Sequence, residues 1–309
     1  GWWKMININK IKQNIKLISE KENGLNIDSI FIEQKGQKDI IFYKEESLHE
    51  LRSCAKLLVA MAAGIAIEKK MFNLDTLIYP AIKNVVNIKN KDNLEKIKKW
   101  TIRNLLTHTT GYEEQMMSER YIENIDKNDL LNYALNYDIP YKVGERFAYN
   151  NVEPFIISVF FQEQFGINLR DFINENIFLK LNIKEFEWEN YGKYCPGATG
   201  LYLKHSDFHK IGKILLNDGV YNNEKVVSEN WIKEICKMQL ETPSIYKKDR
   251  VLPKLGVGYY TFISRDGYIF RDGSNGQYII VNKDKNLLIS ILSNEKKMKL
   301  VTEILRDLL

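Results

Sequence analysis

The chain has 309 residues, 44% of them hydrophobic, with 45 basic and 40 acidic side chains and a formal net charge of +5. This composition buries a core and excludes a disordered chain, while the length allows one large two-part unit or two domains. Its lysines sit in small scattered pairs such as Lys247-Lys248 and Lys296-Lys297, with no zinc-finger or RNA-binding-sheet signature, so nucleic acid is not an expected partner.

In chain order, residues 1–4 (GWWK) read as an appended or leader remnant before Met5. The segment that follows lacks the apolar stretch of a signal peptide, and a cytoplasmic location is expected. Ile8, Ile11, Ile15, Leu17 and Ile18 recur at helical spacing as far as Asn23-Gly24, which predicts an opening helix over 7–21. Residues 29–33 and 39–43 are β-rich and flank Gly36, predicting a hairpin. The apolar run 57–67 predicts a buried helix from Ser53 to about Lys70, too short to span a bilayer. Up to about residue 191 the pattern stays helical, with helices expected over 97–106, 129–137, 154–165 and 169–181. Strand patterning returns at 256–263, 268–271, 277–282 and 287–292, joined by turns that suit only antiparallel neighbours, and a final helix is expected over 295–309.

This order predicts an α/β (α+β) fold: an antiparallel sheet flanked by terminal helices, built from residues 5–79 and 192–309. A mostly helical subdomain is inserted over 80–191, with the site in the crevice between the two.

The segment LRSCAK (51–56) places Ser53 and Lys56 three residues apart, on one face of a helix. A serine hydroxyl is a poor nucleophile until a base takes its proton, and a lysine desolvated by Leu57, Leu58 and Val59 is suited to that task. At a helix start, the Ser53 N–H is also free to stabilise an oxyanion. The same pair fits a buried helix with a snorkelling lysine. Tyr149-Asn150-Asn151 heads an apolar helix, where Tyr149 could relay protons and Asn151 could contact a substrate carbonyl. It also fits an N-cap, with Asn151 as cap and Tyr149 as an ordinary core aromatic. In FRDGSNGQYIIV (270–281) a glycine between strands marks a close backbone approach, which would let the Ser274 N–H act as a second oxyanion donor; a plain turn is the alternative.

Together, LRSCAK, WTIRNLLTHTTG (100–111), Tyr149-Asn150-Asn151, GATGLYL (197–203) and Gly276-Gln277 resemble the β-lactamase-related serine hydrolases, which include class C β-lactamases and penicillin-binding peptidases. The resemblance runs from about residue 25 to the C-terminus. It implies that Ser53 is the acylated nucleophile, Lys56 its base and Tyr149 the proton shuttle to the leaving group. It also implies that Asn151, Arg271, Gly273 and Ser274 meet the substrate. One motif departs: the family carries Lys-Thr-Gly or His-x-Gly where this chain has Arg271-Asp272-Gly273. An acid at 272 facing the cleft would disfavour β-lactams and carboxylate-ended peptides.

His108 is assigned to a capped helix end with a packed imidazole, not to catalysis. Cys54 points about 100° from Ser53 on a helix and is not a rival nucleophile. No metal or other cofactor is expected, because Cys54, Cys195, Cys236 and the histidines lack ligand spacing. The expected function is a serine hydrolase of the amidase, esterase or peptidase type, acting on a small-molecule or peptide substrate through an acyl-enzyme. A non-catalytic acyl-sensing module and an acyltransferase or true β-lactamase on the same scaffold are the alternatives. Oligomeric state is left open by the sequence.

Overall fold

The computed structural model describes residues 4–248 and 250–309, so the remnant expected at residues 1–4 falls, Lys4 apart, outside the described residues. Packing divides the chain into two compact units, Gly1–Cys54 with Tyr202–Leu309, and Ala55–Leu201. Residues 55–79, grouped with the terminal segments by sequence, pack within the second unit.

The first unit is built on a sheet whose eight described strands are β1 (Ile27–Gln34), β2 (Gln37–Phe42), β3 (Leu240–Glu241), β4 (Gly256–Val257), β5 (Phe262–Ile263), β6 (Tyr268–Gly273), β7 (Gln277–Asn282) and β8 (Leu287–Ser293). Their order is β2-β1-β8-β7-β6-β5-β4-β3, and every pairing is antiparallel, as the short turns predict. The β1–β2 turn carries Lys35 at φ 51° and Gly36 at φ 81°, the two positive angles that match the twist of a two-residue hairpin. Central strands β7 and β8 are buried along their whole length, as expected of apolar runs covered on both faces. The helix His205–Leu216 packs on them at Gly212, where a Cβ would lie 2.5 Å from Leu288 Cδ1.

Several expected elements are shorter or split, the helix over 169–181 among them, which gives way to a π-helical turn at Asn174–Phe178. The strand expected over 256–263 breaks into β4 and β5, because the chain between them docks on the end of the helix Glu229–Ile235. Thr261 Oγ1 donates to Ile235 O at 2.7 Å there, and Tyr260 takes φ 61°. The last helix is only Met298–Glu303, since tighter turns follow it and Asp307 reverses the chain at φ 64°. The helix expected over 97–106 is two, Lys91–Ile97 and Ile102–Leu106, since Thr101 and Asn104 form a capping box that starts a new helix.

The second unit is mostly helical. Its core helices, Lys56–Glu68 and Val152–Phe165, bury nearly every side chain of their first ten residues, which is why their sequences are apolar on all sides. Phe72 packs edge-on against Phe160 and Phe161 beside them. Gly166, at φ 67°, closes the Val152 helix. Among the described residues no helix is long and apolar enough to cross a membrane.

Candidate active site

In the first unit, the approach to Ser53 is fixed from both sides. His49 and Glu50 pair with Leu203 and Tyr202, and Arg52 then takes φ 52° while its guanidinium meets Glu50 at 2.9 Å. A left-handed arginine costs on the order of 1 kcal/mol, and such strain collects where a neighbouring side chain must be aimed. Ser53 itself lies half-buried in a 3-10 turn, Arg52–Ala55, which runs directly into the helix beginning at Lys56.

The end of β6 is fastened to this turn. At Gly273 a Cβ would stand 2.6 Å from Leu51 O and 3.1 Å from Ser53 N, so only glycine allows the approach. Cys54 Sγ donates to Arg271 O at 3.7 Å, which aims that thiol at the strand. After Gly273, Asn275 at φ 64° and Gly276 at φ 91° turn the chain into β7. Ser274, at the start of that turn, is exposed.

Arg271 and Asp272 form a closed charge cluster. Arg271 is 2% exposed, and its Nη2 lies 3.0 Å from Asp272 Oδ1, while Lys254 Nζ lies 2.9 Å from the other oxygen, Oδ2. Both cations also sit over the Phe262 ring, at 4.7 and 4.1 Å. Burial pushes the Asp272 carboxyl up, but Lys254 and Arg271 outweigh it and hold the group down at about 2. Lys254 carries no sequence signal, since it stands in an irregular stretch before β4.

In the second unit, Lys56 is fully buried, and its Nζ donates to Asn151 Oδ1 at 2.7 Å and to Ala198 O at 3.3 Å. It stands 4.9 Å from the centre of the half-buried Tyr149 ring. Asn151 directly precedes the Val152 helix, yet its side chain does not cap it: Nδ2 donates to Met117 O at 3.2 Å and the carbonyl serves Lys56. Asn150 does the local work instead, accepting from Val152 N at 2.9 Å. Ala198 O was not singled out from sequence, although its neighbour Gly197 was a usable signal. Gly197 has φ 71°, and a Cβ there would meet Pro154 O at 2.7 Å, so the glycine seats the loop that carries Ala198.

Behind Tyr149 lies a second buried cluster. His108, at φ 54° after the Ile102 helix, presents its ring 5.2 Å from that of Tyr149 and its Nδ1 3.3 Å from Glu153 Oε2. Glu153 is 0% exposed, and its Oε1 accepts from Thr110 Oγ1 at 2.7 Å and from Asn150 Nδ2 at 3.1 Å. Burial first, and the Glu153 charge second, hold the Tyr112 phenol well above its ordinary range.

The profile of the Beta-lactamase family matches residues 38–307 of the chain. No curated protein matches it. Among solved structures, the octameric penicillin-binding protein homologue from Pyrococcus abyssi is 16% identical with a TM-score of 0.75, over 94% of this chain and 74% of that one. The penicillin binding protein from Bacillus halodurans is 13% identical with a TM-score of 0.72, over 94% and 98%. EstCE1, described as a hydrolase with promiscuous acyltransferase activity, is 13% identical with a TM-score of 0.75, over 96% and 97%. At these identities the likeness is one of fold, and it agrees with the fold expected from the sequence motifs.

Proposed function

Since the chain belongs to the Beta-lactamase family, we propose that it is a serine hydrolase that cleaves an ester or amide bond through an acyl-enzyme on Ser53. The observation that carries this reading is the setting of Lys56: a fully buried amine fixed by Asn151 and Ala198 under the Tyr149 ring, three residues after a serine on a strained turn. In this reading Lys56 takes the Ser53 proton as Oγ bonds to the substrate carbonyl carbon. The oxyanion that forms accepts from the backbone N–H groups of Ser53 and Ser274. It collapses as the C–O or C–N bond breaks and Tyr149 delivers a proton to the leaving group. Water then attacks the acyl-enzyme by the reverse proton route and releases the carboxylic acid.

The substrate class follows from the charge cluster on β6. Arg271 was expected to meet a substrate carboxylate, but its guanidinium is committed to Asp272, whose second oxygen is held by Lys254. That arrangement favours acyl donors with no carboxylate at this position over β-lactams or carboxylate-ended peptides. We place the enzyme in a reducing compartment, which suits a chain whose three cysteines form no disulfide among the described residues.

The test is steady-state hydrolysis of p-nitrophenyl butyrate and of a chromogenic cephalosporin. The ester should turn over and Lys56→Met should remove that turnover. Near-normal ester hydrolysis by Lys56→Met would take the lysine out of its role. Faster turnover of the cephalosporin than of the ester would overturn the substrate class.

A further inference from the structure

We propose that His108 and Glu153 are positioning residues for Tyr149, a buried pair that holds its phenol on line for proton delivery to the leaving group. The inference rests on the hydrolase reading above and assigns a role to a histidine that sequence patterning places only in a helix cap.

A buried carboxylate is costly unless its oxygens are satisfied. Glu153 is fully buried in the first turn of the Val152 helix, and three donors reach it: His108 Nδ1 and Thr110 Oγ1 from one segment, Asn150 Nδ2 from another. Those three donors flank the candidate site. Asn150 directly follows Tyr149, and His108 and Thr110 lie in the loop whose His108 O accepts from Ala148 N, the residue just before Tyr149. Glu153 therefore ties together the two strands of chain on either side of the tyrosine.

The ring geometry extends the tie to the phenol. The His108 imidazole stands 5.2 Å from the Tyr149 ring at a 55° tilt, while Lys56 Nζ lies 4.9 Å from the same ring. With Nδ1–H given to Glu153, the imidazole plane is locked, and a locked imidazole restricts the tilt of Tyr149. The backbone records what this placement costs: His108 takes a left-handed φ of 54°, and Gly111 has φ 103° where a Cβ would lie 2.3 Å from Tyr141 O. A loop serving only as a helix end has no need for a fully buried carboxylate with three donors.

Leaving-group dependence separates positioning from simple stability. An ethyl ester needs a proton on its leaving group, whereas p-nitrophenolate departs without one. We expect Glu153→Gln to lower kcat/KM, which reports acylation alone, about tenfold for ethyl butyrate while changing kcat/KM for p-nitrophenyl butyrate less than about threefold. His108→Asn, which tolerates the left-handed backbone and keeps an N–H donor, should retain more ethyl ester activity than His108→Ala. Equal losses on the two esters, or an unaltered Glu153→Gln enzyme, would overturn the positioning role. A wild type that hydrolyses neither ester would instead overturn the hydrolase reading and this inference with it.

Discussion

Asp272→Asn removes the negative charge that Arg271, 2% exposed, and Lys254 both approach. The magnitude follows from the carboxyl's own titration. Holding Asp272 at about 2 when its ordinary value is 3.8 corresponds to about 2.5 kcal/mol of folding stability at neutral pH. We therefore expect a loss of about 2.5 kcal/mol, which for a chain of this length is a fall in melting temperature of about 4 °C. The sign with pH is fixed by the direction of the shift. A carboxyl held down in the fold stabilises above its ordinary value and loses that contribution as pH falls through the folded one. The gap between wild type and Asp272→Asn, followed by circular dichroism, should therefore be full at about pH 6 and close as pH approaches 2. A variant that melts within about 1 °C of wild type at about pH 6 would refute the reasoning, as would a gap that does not close in acid.

The buried histidines give a second pH dependence. His205 and His209 share Ser290, are stacked or tilted against Phe31, and meet Ser29 and Glu33; His49, Lys38 and Lys213 are the charged or titratable groups around them. Burial above all holds both imidazoles below their ordinary range, so the unfolded chain takes up protons first and stability falls as pH drops below about 6.5. The urea midpoint should be lower at about pH 5 than at about pH 7.5, with a smaller difference in His209→Gln; equal midpoints for wild type would contradict this. Gly273→Ala puts a methyl 2.6 Å from Leu51 O, so the Ser53 turn or β6 must shift; it should slow phosphonate labelling of Ser53 at least about tenfold and lower the melting temperature, and unchanged labelling would contradict the close approach. Gly197→Ala, strained at φ 71° and 2.7 Å from Pro154 O, should cost about 1–3 kcal/mol by urea titration, and a neutral effect would mean that the loop carrying Ala198 is not held as described.

Much of this was legible in the sequence because it depends on local pattern. The strands β7 and β8 are continuous apolar runs, the first hairpin has its glycine, and the Lys56 and Val152 helices are apolar on all sides. The roles proposed for Ser53, Lys56 and Tyr149 rest on the motif resemblance. What sequence could not supply was long-range pairing. Nothing near Lys254 announces that it crosses to Asp272, and without that partner Arg271 looked available to a substrate. Asn151 is not the cap that its position allows, and nothing in the sequence announces that its side chain joins Lys56 to Met117. Glu153 was simply a charge in the first turn of a helix until His108 and Thr110 arrived from residues 108–110. The break between β4 and β5 likewise depends on a helix end at Ile235.

The central claim is a covalent bond at one atom, and it is tested by treating the protein with a fluorophosphonate and mapping the adduct by peptide mass spectrometry. The account predicts a single adduct on Ser53, absent from Ser53→Ala and strongly slowed in Lys56→Met. An unlabelled wild type, or an adduct that persists in Ser53→Ala, would contradict it.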